Sequence, residues 1–140
     1  MQYSPKVLDH FKNPRNQGKI INADGSGKTY NPLDCGDTVK IYFKVKKEAG
    51  DNRNLDIISE IKYEVFGCAA AIASSSIFSE MAKGKRIKEV LKISRQDVAQ
   101  ALGGLPETKI DCSTLAPDAF AKAVNNYYKK QKKGFFSLFK

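Results

Sequence analysis

The sequence has no tryptophan, one histidine and only three cysteines, Cys35, Cys68 and Cys112, set far apart. Each scarcity excludes something. The single imidazole, His10, has no thiol near it in sequence, so a Cys–His protease mechanism has no candidate base. Without a CxxC pair, the zinc-ribbon and ferredoxin patterns, which preorganise their ligands over short spacings, do not apply. An odd, dispersed set of thiols also differs from the dense, even framework of a disulfide-stapled secreted domain. No run of about 18 apolar residues occurs, so no membrane span is expected. MQYSPKVLDHF has neither an apolar core segment nor a small-residue cleavage site, and a cytoplasmic protein is expected.

Acidic residues are the minority, 15 against 24 Lys and Arg, for a net charge of +9. Much of the excess sits in YYKKQKKGFFSLFK, where cations suit the negative pole of a helix C-terminus. No RNA-binding signature or basic–aromatic stripe accompanies it, so a nucleic-acid partner is not expected. With 140 residues, 41% of them hydrophobic, one apolar core is the natural organisation. The expected division is a domain over residues 1–132 and a basic, aromatic tail over 133–140. Packing on the domain or disorder is expected of that tail rather than membrane contact.

Hydrophobic periodicity supplies the elements. Ser4 is the N-cap and Pro5 the first residue of a short helix with Val7, Leu8 and Phe11 on one face. NADGSGKTYNPLDCGD is mostly loop, with room for one short strand. From Thr38 to Lys46, Val39, Ile41, Phe43 and Val45 alternate with Lys40, Tyr42, Lys44 and Lys46, a half-buried strand. Leu55 to Phe66 holds one or two more strands, antiparallel because the connection is short. Ala69 to Met81 is a helix stopped near Gly84, RIKEVLKI a short one, and Ser94 with Asp97 forms a capping box. LPETKID is extended, and Pro117 begins a helix from Asp118 to about Lys132 with Phe120, Val124 and Tyr127 on its apolar face. The expected fold is α+β, a small, mostly antiparallel three-stranded sheet with helices on one face.

All three cysteines fall at element junctions. Cys35 precedes a strand, Cys68 lies where a strand becomes a helix, and Cys112 lies just before the last helix. Element ends are where sites are built, and helix N-termini favour the thiolate. If the three ends meet, three thiolates plus Asp37 or Asp111 form a mostly sulfur site suited to zinc or an iron–sulfur cluster. A site assembled from remote segments can be left partly open, which suits assembly and release. His10 and the serines Ser74, Ser75 and Ser76 read as helix packing, not chemistry.

Four motifs in one order carry a resemblance: YSPKVLDHFKNPRNQG, CGD at 35–37, GCAAAIASSS at 67–76 and KIDCSTLAPDA at 109–119. From Tyr3 to roughly Lys130 the chain resembles the iron–sulfur cluster assembly scaffolds, the IscU-type proteins and the N-terminal domain of NifU. The resemblance implies a standalone scaffold, not an enzyme. It implies sulfur from a cysteine desulfurase, iron from an iron donor, a transient 2Fe–2S cluster, and transfer to apo-acceptor proteins. It implies Cys35, Cys68 and Cys112 as ligands, with Cys112 and Cys35 accepting sulfur, and Asp37 as a ligand or as the group that keeps the cluster labile. Asp111 stands where most IscU-type proteins have histidine and is a second candidate carboxylate, so the site is more negative.

Leu105, Pro106 and Lys109 occupy the family's LPPVK chaperone-recognition segment, but Glu107 and Thr108 depart from it, which argues against an Hsp70-type partner. Zinc could fill the ligands of the apo form, and a second copy could cap the cluster in a homodimer. The alternative is the SufU branch, zinc-dependent sulfurtransferases with an insertion between the second and third cysteines. The short segment from Cys68 to Cys112 favours the scaffold branch.

Overall fold

The computed structural model describes residues 3–31, 37–47 and 52–138. In chain order these form helix α1 (Pro5–Lys12), strands β1 (Gly25–Tyr30), β2 (Thr38–Lys46) and β3 (Ile57–Phe66), and helices α2 (Ala69–Ala82), α3 (Ile87–Val90), α4 (Arg95–Ala101) and α5 (Leu115–Leu138). The strands pair antiparallel in the order β1-β2-β3, and α5 and α2 pack on one face. The expected α+β class is the observed one.

The alternation read from β2 builds the core. Val39, Ile41 and Phe43 are buried and stand opposite Val65, Tyr63 and Ile61 of β3. A register shift between Lys44 and Val45 ends the regular alternation, leaving Val45 half-buried. Phe120 of α5 closes the layer from above, its ring centroid 5.5 Å from Phe43 and 5.8 Å from Phe78. Phe120, Val124 and Tyr127 are all buried, as the 3.6 period requires. Residue 27 must be glycine for α5 to lie this close to β1: a Cβ there would sit 2.4 Å from the Ala123 backbone nitrogen.

Several local expectations are met and several are corrected. The Ser4 hydroxyl caps α1, accepting the Val7 N–H at 3.1 Å, and the Ser94–Asp97 capping box opens α4. The buried face of α1, however, is Val7 with His10, while Leu8 and Phe11 are about 40% exposed. The helix meets the molecule chiefly through α2, and the His10 imidazole is tied to Ser76 across that contact, which turns Leu8 and Phe11 outward. The one short strand for which the glycine-rich stretch had room is β1, with Gly25 and Gly27 admitting α5. Leu55 to Phe66 is one strand preceded by a 3₁₀ turn, Arg53–Leu55.

The segment expected to be extended before the third cysteine is instead 3₁₀ from Glu107 to Thr114. Helix α5 starts at Leu115, so Pro117 lies within its first turn, where a missing N–H costs nothing. At its other end α5 runs to Leu138, past the expected end near Lys132. No helix among the described residues is long and apolar enough to cross a membrane.

The register fixes where the functional loops meet. Tyr30 pairs with Thr38, and Thr38 with Phe66, at one end of the sheet. Asp37 enters β2 there, and Gly67 and Cys68 leave β3 there. The 3₁₀ segment before α5 packs against α2 and brings Cys112 to the same end.

Candidate metal centre

Asp37, Cys68 and Cys112 come from three segments and meet as a triangle. Cys68 Sγ lies 3.6 Å from Asp37 Oδ2, Cys112 Sγ lies 3.7 Å from the same oxygen, and the two sulfurs are 3.7 Å apart. Among the described residues this is the one group of three or more metal-ligating side chains drawn together. Cys35 and Gly36 lie outside the described residues.

Each donor is held by its element. The Asp37 carbonyl accepts the Asn31 N–H at 2.8 Å, which ties the entry of β2 to the exit of β1. Cys68 is the N-cap of the 14-residue helix α2, yet its side chain makes no capping bond, leaving the sulfur to face the other two groups at the positive pole of the helix. Cys112 is buried in the 3₁₀ segment at 1% exposure, Asp37 is buried, and Cys68 is half-buried, so the triangle opens to solvent on the Cys68 side.

Burial pushes the Cys112 thiol up to about 12, with the neighbouring Cys68 and Asp37 adding to the rise and Lys109 opposing it. Three groups that can each be anionic are crowded together, so in the absence of a cation Cys112 keeps its proton. A metal ion reverses that preference, because it is the thiolate that binds.

The spacing itself tests whether a metal fits. Zinc–sulfur bonds of about 2.3 Å and zinc–oxygen bonds of about 2.1 Å at tetrahedral angles put two sulfurs about 3.8 Å apart and a sulfur and an oxygen about 3.6 Å apart. The three observed edges, 3.6, 3.7 and 3.7 Å, are those of one face of such a tetrahedron. Two soft thiolates with one harder carboxylate suit zinc or iron, and the face leaves the fourth coordination position open.

Comparison with known proteins shows the family to which the chain belongs. Residues 2–134 match the family model described as NifU-like N terminal domain. The chain belongs to that family. The iron-sulfur cluster assembly scaffold protein IscU 1 of Archaeoglobus fulgidus is 57% identical over 131 residues, covering 94% of this chain and 80% of that protein. The scaffold protein IscU of Escherichia coli strain K12 is 42% identical over 134 residues, covering 94% and 98%. Among solved structures, a putative iron-sulfur cluster assembly scaffold protein for the SUF system from Fervidobacterium islandicum superposes with a TM-score of 0.65 at 27% identity, covering 86% of this chain and 95% of that one.

Within this NifU-like domain the other sequence-marked residues are placed apart from the triangle. The Asp111 side chain is 77% exposed and pairs with Arg95 Nη1 at 3.6 Å, outside the cluster of donors. Leu105 and Pro106 are half-buried and line a surface groove of about 440 Å³ with Tyr3, Ser4, Gly103 and Gly104. Lys109 is half-buried and close enough for its charge to act on Cys112.

Two features of the NifU-like site were missed in the sequence. Tyr30 and Phe66, on the sheet face away from the helices, are 63% and 83% exposed at the site end. Gly67 abuts the Asp37 carboxylate. An aromatic at a strand end beside a candidate ligand was a usable signal for the first; only the tertiary pairing reveals the second.

Proposed function

We propose that this chain is a scaffold on which an iron–sulfur cluster is assembled and from which it is passed to acceptor proteins. The observation that carries the reading is the triangle of two thiols and one carboxylate at tetrahedral-edge spacing, open on one side. Family membership and relatives named as scaffolds support it. In this reading Cys68, Cys112 and Asp37 are ligands, and Cys35, two positions before Asp37 in sequence, is a fourth. Asp37 rather than Asp111 supplies the carboxylate, since Asp111 faces solvent and Arg95. A carboxylate binds iron less tightly than a thiolate, which suits a cargo that must leave.

Sulfur arrives as a persulfide of a cysteine desulfurase. An acceptor thiolate, on Cys112 or Cys35, attacks its terminal sulfur, a new S–S bond forms, and the desulfurase cysteine leaves as thiolate. Cys112 has lost its proton before it attacks, and its burial requires the 107–114 segment to move. Turning two persulfide sulfurs into sulfide takes four electrons, two from the ferrous ions as they become ferric and two from an external thiol reductant, and each acceptor cysteine is released as thiolate. The cluster built is 2Fe–2S, and zinc occupies the same donors in the absence of iron and sulfide. Tyr30 and Phe66, exposed at the rim, offer apolar contact to the protein that hands over sulfur or receives the cluster.

The test is iron, acid-labile sulfide and zinc per chain after anaerobic reconstitution with a desulfurase, cysteine, ferrous iron and a thiol reductant. Equal iron and sulfide, both lost in Cys68→Ser and in Cys112→Ser, are expected. Zinc retained with no sulfide incorporated would overturn the scaffold reading in favour of a zinc-dependent sulfur carrier.

A further inference from the structure

We infer that Gly67 is a positioning residue for the metal site: its missing side chain is what admits the Asp37 carboxylate to the two thiols. The inference rests on the scaffold reading only in taking Asp37, Cys68 and Cys112 as the metal-binding group.

Gly67 has no other evident reason to be glycine. Gly18, Gly84, Gly103 and Gly104 adopt positive φ, the left-handed region that disfavours a side chain, whereas Gly67 does not. It is exposed, so no tight core surrounds it. Yet a Cβ at position 67 would lie 2.7 Å from Asp37 Oδ1, 2.8 Å from its Cγ and 3.1 Å from its Cβ, and these are the three nearest atoms it would meet. The empty volume at Gly67 is therefore shaped to one side chain.

That side chain is boxed on both sides. Oδ1 faces Gly67, while Oδ2 is already 3.6 and 3.7 Å from the two sulfurs, so the carboxylate has little room to retreat toward them. The Asp37 backbone is pinned by the Asn31 N–H and by the start of β2, and the Thr38–Phe66 pair fixes Gly67 beside it. The two contacts under 3.0 Å that a methyl group at 67 would make are relieved by rotation of the Asp37 side chain, which takes Oδ2 off the thiols, and the 3.1 Å contact with its Cβ by a shift of a few tenths of an ångström. The displacement falls mainly on rotatable side-chain atoms, so the fold bears a small cost and the donor set changes. A residue that touches neither metal nor sulfur thus decides whether the site offers two thiols and a carboxylate or two thiols alone.

The experiment uses cobalt(II) as the probe of the full chain, read by its ligand-field and thiolate charge-transfer bands and by competition with a chelator. Gly67→Ala is expected to weaken cobalt affinity by roughly tenfold or more, with a spectrum like that of Asp37→Ala and a thermal midpoint close to the parent's. In the Asp37→Ala background, Gly67→Ala should change neither affinity nor spectrum, because the two contacts under 3.0 Å, with Oδ1 and Cγ, are gone and the 3.1 Å contact with Cβ needs a shift of only a few tenths of an ångström. Should Gly67→Ala alone fail to fold, the double variant is expected to fold, and its failure as well would overturn the inference. Parental affinity and spectrum in Gly67→Ala, or a loss that adds to that of Asp37→Ala, would also overturn it. A parent chain that shows no thiolate band lost in Cys68→Ser and Cys112→Ser overturns the metal-site reading itself. An intact parental band with an unshifted Gly67→Ala overturns only the role of Gly67.

Discussion

His10 Nδ1 and Ser76 Oγ, from helices 66 positions apart in sequence, are 2.7 Å from each other inside the contact between α1 and α2. Ser76 also accepts the Arg15 N–H at 2.9 Å, and His10 Nε2 lies 3.6 Å from Glu80 Oε1. Burial, the largest influence, and the Arg15 and Lys6 charges hold the His10 pKa below its ordinary 6.5, against the pull of Glu80 and Asp9. The folded state therefore prefers neutral imidazole, and the unfolded chain takes up the proton first as pH falls. Stability from this group is fully present above about pH 6.5 and is lost on acidification below it. The thermal midpoint should drop by a few degrees between pH 7 and 5.5, and a His10→Asn variant should show a shallower drop over the same interval.

The two thiols of the triangle should differ in reactivity. Cys68 is half-buried at the N-terminus of α2, while Cys112 is almost fully buried and held protonated. Iodoacetamide labelling of the metal-free protein at pH 8, mapped by peptide mass, should modify Cys68 at least about tenfold faster than Cys112. Saturating zinc should protect both and release protons on binding. Equal labelling rates would contradict the burial of Cys112.

Asp111 is an exposed acid paired with an exposed arginine, an arrangement worth about 0–1 kcal/mol. Asp111→Asn should leave the cobalt spectrum unchanged and the affinity within about twofold, since long-range charge at an exposed position is screened. A lost or shifted charge-transfer band would make Asp111 a ligand after all.

Gly27 is a structural counterpart to Gly67. A Cβ there meets the Ala123 nitrogen at 2.4 Å and the Ala119 carbonyl oxygen at 2.6 Å, both backbone atoms of α5. Backbone cannot rotate aside, so Gly27→Ala should cost at least about 2 kcal/mol in urea unfolding. The metal affinity of the fraction that remains folded should be near the parent's.

How much of this was legible beforehand depended on whether the signal was local. The β2 alternation, the Ser4 cap, the Ser94–Asp97 box and the apolar stripe of α5 are each written within a few residues, and all are present in the fold. That His10 packs against a helix was read from the sequence and is borne out; that it does so in place of Leu8 and Phe11 was not legible, because the partner that decides it, Ser76, lies on another helix. One short strand was expected within residues 22–37, but its place at Gly25–Tyr30 was not legible, because its glycines serve α5, an element almost a hundred positions away. Cysteines at element junctions pointed to a site, and the intact CGD motif favoured Asp37 over Asp111 as its carboxylate; that Asp37 lies beside Cys68 and Cys112 while Asp111 pairs with Arg95 appears only with the three-dimensional meeting of β2 and β3.

Asp37 and Cys112 are 75 positions apart, with Cys68 between them, so the unfolded chain has no local chelate to offer. A metal bound by all three stabilises the fold by mass action, and that stabilisation grows with the logarithm of free metal concentration. The dependence also runs the other way. Withdrawing any one of three segments, the entry to β2, the first turn of α2 or the 3₁₀ stretch before α5, removes a donor without any chemistry at the metal. A partner protein that grips one of these segments can set the lifetime of the cargo by mechanical means, and the three segments give three separate places from which unloading can be driven.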